Sequence, residues 1–223
     1  MKIQYLGHSA FYVQADRLKA LIDPFIPEPV SHPIYRTQEL THIFLTHGHG
    51  DHLGDASQLA KDSGATIIAN YEICLHLEKQ GIKCHAMHIG GRTSMDFGVV
   101  KMAPALHGSG IETEMEVMYG GNPGGYVIEA GGKKLYHAGD TGLTMDMQLL
   151  ESESIDVALL PIGGNFTMDV ADALRAVEFI RPVVAIPMHF NTFPVIEADP
   201  VTFQNQNHAS QTRIMAVGDV FEF

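Results

Sequence analysis

Residues 41–52 read THIFLTHGHGDH, an apolar run that leads directly into four metal-binding side chains, His47, His49, Asp51 and His52. The run HIFLT predicts a buried β-strand. In extended backbone, side chains two positions apart point the same way, so the first two histidines face one side. Gly48 and Gly50 leave room for a tight turn. The last two side chains of the motif are then expected at the start of the next helix.

This density of ligands favours two metal ions over one. A single tetrahedral ion cannot easily use all four side chains, because its ligands must be spread in space. Two ions about 3.5–4 Å apart could do so, one bound by His47 and His49, the other by Asp51 and His52. Such a pair needs further ligands from elsewhere in the chain.

Three candidates for those ligands follow other apolar strands. His107 follows VKMAPAL, Asp140 follows KLYHAG and His189 follows VVAIPM. Ligand sites in open α/β sheets collect at the carboxyl ends of the strands, so we expect these side chains to meet the motif there. An aspartate can bridge two ions and a histidine cannot, which favours Asp140 as the bridge.

Composition narrows the class of protein. The chain has 223 residues, of which 45% are hydrophobic, and a formal net charge of −12. This charge argues against binding to nucleic acid or to an anionic membrane. No apolar segment is long enough to span a bilayer, and the amino terminus lacks a secretory signal. We therefore expect a cytoplasmic protein acting on a small-molecule substrate, with a homo-oligomer left open.

The pattern of elements predicts one domain, residues 1–223, of the α+β class. Short β-rich runs and β/α alternation occur in both halves of the chain. Helices are predicted at residues 54–64, 71–81 and 168–180 and after the Asp199-Pro200 pair, and the strand-like runs RIMAV and DVFEF flank Gly218 at the end. This order favours two sheets packed face to face with helices outside.

The whole set of motifs resembles the metallo-β-lactamase superfamily of dinuclear metallohydrolases. The opening LGHSAF and the closing MHFNTFP are similar to those of its small metal-dependent hydrolases of uncharacterised substrate, relatives of the ascorbate-6-phosphate lactonase. The resemblance implies a four-layer αββα sandwich of two mixed β-sheets. It also implies that His47, His49 and His107 bind the first metal, that Asp51, His52 and His189 bind the second, and that Asp140 bridges.

The chemistry expected of that site is metal-assisted hydrolysis. A hydroxide bridging two divalent ions would attack a small ester, lactone, amide or phosphodiester, with Asp51 and Asp140 as catalytic residues. Zn²⁺ is the expected metal, while Mn²⁺, Fe²⁺ or Ni²⁺ would also suit histidine and carboxylate ligands. The alternatives are an iron-dependent dioxygenase or other redox enzyme of the same fold, or a nuclease.

Four other polar residues are candidates for contacts with the substrate or with the ligands: His8, Asn165, Asp169 and Asn191. Each also has a structural explanation. His8 could make an ordinary hydrogen bond, the two asparagines could satisfy turns, and Asp169 could begin a helix. Two loops, residues 27–36 and 108–122, are expected to border the substrate. The second of them is either an apolar lid or a solvated acidic loop.

Overall fold

The computed structural model describes residues 1–26 and 39–223. The loop predicted at residues 27–36 lies outside the described residues. The first sheet has the strand order β16-β1-β2-β3-β4-β5-β6, and the strands β3 to β6 run parallel to one another. Its strands are β1 (Lys2–Gly7), β2 (Ala10–Ala15), β3 (Leu18–Ile22), β4 (His42–Phe44), β5 (Thr66–Asn70), β6 (Cys84–Met87) and β16 (Val220–Glu222).

The second sheet also has seven strands, in the order β15-β14-β13-β12-β11-β8-β7. They are β7 (Arg92–Met95), β8 (Gly98–Pro104), β11 (Gly124–Ala130), β12 (Lys133–His137), β13 (Val157–Pro161), β14 (Val184–Met188) and β15 (Gln211–Thr212). A separate hairpin consists of β9 (Gly110–Glu112) and β10 (Val117–Tyr119). Both large sheets mix parallel and antiparallel pairs.

The helices cover the outer faces of both sheets. They are α1 (Gly50–Leu53), α2 (Ala56–Ser63), α3 (Tyr71–Glu78), α4 (Val170–Ile180) and α5 (Pro200–Gln206), with 3₁₀ turns at Met145–Glu153 and Pro194–Ile196. One apolar cluster joins α2 and α3 to the first sheet, and another joins α4 and α5 to the second. The helices α2 to α5 therefore each bury apolar side chains against a sheet.

The inner faces of the two sheets form the main core. Phe11 and Phe44 from the first sheet pack in one buried cluster with Tyr126, Leu159 and Ile186 from the second. The Tyr126 hydroxyl also donates to the Leu45 carbonyl at 2.9 Å, which ties the sheets together beside the motif. The four-layer αββα sandwich predicted from the sequence is confirmed.

The helix predicted at residues 54–64 is confirmed as α2, which is followed by Gly64 in a left-handed conformation. Two other local predictions differ from the structure. The run RIMAV is not a strand, and DVFEF pairs through β16 with β1. The predicted loop at residues 108–122 contains the β9–β10 hairpin. The Asp199-Pro200 start of α5 is confirmed, with the Asp199 carboxylate accepting from the backbone N–H groups of residues 201 and 202.

No helix among the described residues combines the length and the apolar character needed to cross a membrane.

Candidate metal centre

The predicted ligands converge at one edge of the sandwich. β11 is antiparallel to both β8 and β12, and β12 to β14 run parallel, so β8, β12 and β14 all point in one direction. Their carboxyl ends carry His107, Asp140 and His189. β4 of the first sheet brings the motif to the same place, where the Thr46 carbonyl accepts from Gly124 N–H across the two sheets.

Three histidines form the first cluster. The ligand nitrogens of His47, His49 and His107 all lie within 4.8 Å of one another. His47 Nε2 is 3.0 Å from His49 Nδ1. Two nitrogens bound at 2.0–2.1 Å to one tetrahedral ion lie about 3.3 Å apart, so this spacing fits ligands of a shared ion.

The second cluster adjoins the first. Asp51, His52 and His189 again have ligand atoms within 4.8 Å of one another. Asp140 lies between the clusters, with its carboxylate 3.2 Å from His52 Nε2, 3.0 Å from His189 Nε2 and 3.6 Å from His107 Nε2. The structure therefore brings together all seven side chains that the sequence pattern selected as ligands.

The hydrogen bonding of these atoms fits a metal. His52 Nε2, His189 Nε2 and Asp140 Oδ1 are buried and make no hydrogen bond with any described residue, despite their short separations. Buried polar atoms are normally satisfied, and leaving several unsatisfied in one place costs roughly 1–3 kcal/mol each. Imidazole nitrogens and carboxylate oxygens are ligands for divalent transition metals. The donor set and its unsatisfied lone pairs thus suit a pair of such ions.

Asp23 fixes the tautomers of two ligands, and the sequence analysis missed it. Its carboxylate accepts from His52 Nδ1–H at 2.7 Å and from the Thr46 hydroxyl at 2.7 Å. The Thr46 oxygen in turn accepts from His47 Nδ1–H at 3.0 Å. Both Nε2 atoms therefore keep a free lone pair for a metal. The only signal in the sequence was an aspartate directly after β3, in LIDPF, which also suits a turn.

Electrostatics sets different protonation states within the centre. Burial, together with the nearby His52, holds the pKa of His47 well below its usual range, so this ring is neutral. Burial alone would lower the pKa of His52, but Asp140 and Asp23 outweigh it and hold that pKa well above its usual range. A metal binding here must displace the His52 proton, so its affinity falls as the pH falls.

The carboxylates remain ionised. Burial would raise the pKa of Asp51, but hydrogen bonding from His8 and the charge of His52 lower it to about 2. Burial acts in the same direction on Asp140, where His52 and His189 hold the pKa well below its usual range. Both groups are available as anionic ligands at neutral pH.

His8 belongs to the centre. Its Nε2 lies 3.2 Å from Asp51 Oδ2, and its Nδ1 lies 2.9 Å from the Thr192 hydroxyl. The ring packs 4.1 Å from that of His189, between ring centroids, and His189 N–H donates to the His8 carbonyl. The side chain thus contacts two of the ligands in the second cluster.

Unusual backbone conformation also concentrates here. His8, Asp23 and His189 have φ values of 52°, 45° and 53°. The left-handed region is uncommon for residues other than glycine, and such strain collects at functional sites. Strained backbone therefore holds one ligand and two of its supporting side chains.

The chain bends at Gly48 before α1 begins at Gly50, and neighbouring atoms approach these two glycines very differently. A Cβ at Gly48 would lie 2.9 Å from Ile111 Cγ1 and 3.0 Å from the Ser109 carbonyl oxygen. The β9–β10 hairpin therefore packs directly on the motif, and the Ser109 hydroxyl accepts from Gly48 N–H. A Cβ at Gly50 would meet nothing within 4 Å.

The remaining candidates occupy structural positions. The Asn191 side chain accepts from Ala198 N–H at 2.9 Å and has a φ of 58°. Asn165 is exposed in the loop before α4 with a φ of 54°. Asp169 is the N-cap of α4, where its carboxylate accepts from Asp172 N–H. His137, left out of the ligand set, is bonded at both ring nitrogens to backbone groups of Ser9 and Gly139.

Comparison with known proteins agrees with this geometry. A family model described as the β-lactamase superfamily domain matches residues 18–190. A UPF0173 metal-dependent hydrolase of Alkaliphilus metalliredigens is 67% identical over the whole of both chains. One from Carboxydothermus hydrogenoformans is 52% identical over 94% of this chain and 93% of its own.

A solved structure is also similar. Igni18, a metallo hydrolase from the archaeon Ignicoccus hospitalis, has a TM-score of 0.88 and 37% identity. The match covers 100% of this chain and 98% of Igni18. The resemblance to the metallo-β-lactamase superfamily is confirmed, and the chain belongs to the UPF0173 family of metal-dependent hydrolases.

Proposed function

We propose that this protein binds two divalent metal ions and hydrolyses a small-molecule ester, lactone, amide or phosphodiester. The observation that carries the proposal is the set of buried, unsatisfied lone pairs on His52, His189 and Asp140. His47, His49 and His107 would hold one ion, and Asp51, His52 and His189 the other, with Asp140 between them. Zn²⁺ is the expected ion, with Mn²⁺, Fe²⁺ or Ni²⁺ as alternatives.

Bound divalent ions would supply Lewis acidity, which acidifies water and polarises the bond under attack. The protein's own side chains would position the attacking water. Asp51, anionic and held by His8, is placed at the floor of a cavity of about 310 Å³ that also contacts His49, His107 and Asp140. There its carboxylate would orient the attacking water by accepting a hydrogen bond from it.

Asp23 and Thr46 keep the ligands in one protonation state through the reaction. Because Asp23 holds His52 Nδ1–H and orients Thr46 toward His47, neither ring can turn or change tautomer without losing a buried hydrogen bond. His8 holds Asp51 in the same way, through its Nε2, while the Thr192 hydroxyl lies at hydrogen-bonding distance from His8 Nδ1. This network preorganises the candidate ligands, so that they need little rearrangement during turnover.

The test is a reconstitution experiment. Metal-free protein is prepared with a chelator, reloaded separately with Zn²⁺, Mn²⁺, Fe²⁺ and Ni²⁺, and assayed on esters, lactones, amides and phosphodiesters. We expect hydrolysis that requires metal and that Asp51→Asn abolishes, while Asp62→Asn, an exposed change on α2, leaves it unchanged. Absence of chelator-sensitive hydrolysis across the panel would contradict the proposal.

A further inference from the structure

The wall of the metal cavity carries one charged and one aromatic side chain besides the candidate ligands. These are Glu112, from β9 of the hairpin, and Phe166, from the loop before α4. Phe166 is 55% exposed, so its ring offers an apolar surface at the cavity that it lines. A bound substrate would therefore meet a carboxylate and an apolar ring.

Within residues 1–26 and 39–223, the loops around the cavity are acidic and contain no lysine or arginine. They contain ten aspartates and glutamates and no lysine or arginine, over residues 7–9, 23–26, 45–55, 105–123, 138–144, 162–169 and 189–199. Of the 14 lysines and arginines in the chain, Arg36 alone lies in residues 27–38, outside the described part. None of the other thirteen lines the cavity, and none lies in the loops given above.

The charge of two bound ions does not reverse this imbalance. The candidate ligands Asp51 and Asp140, with Asp23 beside His52, would offset most of the charge that two divalent ions bring. Glu112 at the cavity wall offsets the remainder. Phosphate and carboxylate groups are normally paired by arginine or lysine, and the described residues offer neither at this site.

Aromatic side chains continue beyond Phe166. Phe25 and Phe193 lie 6.3 Å apart between ring centroids, and both pack edge-on against His8, beside Asp51. An apolar group on the substrate would find partners on this side of the centre. The surroundings of the metal centre are thus acidic and aromatic.

We infer that this site takes uncharged or positively charged esters, lactones or amides with an apolar portion, and discriminates against phosphodiesters and other anionic substrates. The inference rests on the proposed hydrolase function and selects among its substrate classes. A cavity lined by one sign of charge concentrates ligands of the opposite sign and repels those of the same sign.

The experiment uses four probes that release p-nitrophenol from metal-loaded protein. Three are esters matched in length, with an uncharged, a trimethylammonium and a carboxylate end, and the fourth is bis(p-nitrophenyl) phosphate. We expect kcat/KM for the uncharged and cationic esters to exceed that for both anionic probes by at least about tenfold, and added salt to narrow the gap. Equal or faster turnover of the anionic probes would overturn the inference while leaving the hydrolase function intact.

If no probe is hydrolysed, the proposed function fails and binding decides the charge preference. Calorimetric titration with the corresponding uncleaved amides should then show tighter binding of the uncharged and cationic forms. Tighter binding of the carboxylate form would overturn the inference.

Matched variants locate the charge effect. Glu112→Lys should shift the ratio of anionic to uncharged turnover by about tenfold toward the anion, because it reverses a charge at the cavity wall. Glu116→Lys, at the tip of the same hairpin, should shift this ratio less than about twofold.

Arg36→Gln tests the one lysine or arginine outside the described residues. A selective loss of anionic turnover in that variant would contradict the inference.

Discussion

Two buried carboxylates beside the second sheet differ in their partners: Glu153 at the end of a 3₁₀ turn, and Asp140 in the loop after β12. Glu153 accepts from Arg92 Nη2 at 2.6 Å and from Lys101 Nζ at 2.7 Å, so permanent cations satisfy it. Asp140, at the metal edge, is surrounded by imidazoles, and its Oδ1 makes no hydrogen bond with a described residue. The chain's own side chains satisfy the Glu153 carboxylate. The Asp140 carboxylate keeps an unsatisfied oxygen, which suits a bound metal ion.

The largest effect is expected at Asp140. Asp140→Asn keeps the shape but removes the charge that faces both clusters. We expect loss of at least one equivalent of metal and a fall in kcat/KM of more than about 10³-fold. Metal content by plasma mass spectrometry and activity on the best substrate measure both. Full metal content in this variant would show that the carboxylate is not a ligand.

A smaller effect, again at the candidate metal centre, is expected at Asp23. Asp23→Asn replaces one carboxylate oxygen by an NH₂ donor, so the side chain can no longer accept from Thr46 N–H at one oxygen and from the Thr46 hydroxyl and His52 Nδ1–H at the other. At least one of these bonds is lost, and the two candidate ligand rings are held less firmly. We expect metal affinity to fall by about 10–100-fold, as for other residues that support ligands. Competition with a chromophoric chelator gives the affinity. Unchanged affinity would mean that other groups orient the two rings.

On the other side of the comparison, Glu153→Gln should change stability without changing metal content. Removing the charge weakens the contacts with Arg92 and Lys101, and we expect a loss of about 1–2 kcal/mol in the free energy of unfolding at pH 7. Urea unfolding followed by circular dichroism measures it. Loss of metal in this variant would mean that the two regions are coupled.

The pH dependence of that loss has a definite sign. Burial would raise the pKa of Glu153, but Lys101 and Arg92 outweigh it and hold the pKa below its usual value. A depressed folded-state pKa contributes stability that is fully present above the unfolded value and is lost as the pH falls through the folded value. The difference between wild type and Glu153→Gln should therefore shrink below about pH 4.

The two glycines of the motif should respond differently to substitution, and the smallest effect of all is expected at Gly50. Gly48→Ala places a methyl group against Ile111 and the Ser109 carbonyl, and we expect a cost of about 1–3 kcal/mol together with weaker metal binding. Gly50→Ala meets open space and should change stability by less than about 0.5 kcal/mol. Thermal unfolding of both variants checks this. Equal effects would contradict the packing of the hairpin on Gly48.

The fold and the convergence of the seven candidate ligands were predictable because they follow short-range rules. Apolar strands that end in His107, Asp140 and His189 identified the edge where ligands meet, and an aspartate before a proline identified the start of α5. The arrangement around the ligands was not predictable. Asp23 lies beside His52 only because β3 and β4 pair in parallel, and nothing local to LIDPF indicates that contact. The β9–β10 hairpin was missed because its three-residue strands are too short to show alternation.

The most direct test of the central claim is the anomalous scattering of crystals of metal-loaded protein, recorded on both sides of the metal absorption edge. The account predicts two peaks about 3.5–4 Å apart. One should lie among His47, His49 and His107, the other among Asp51, His52 and His189, with the Asp140 carboxylate contacting both. A single peak, or peaks away from these seven side chains, would contradict it.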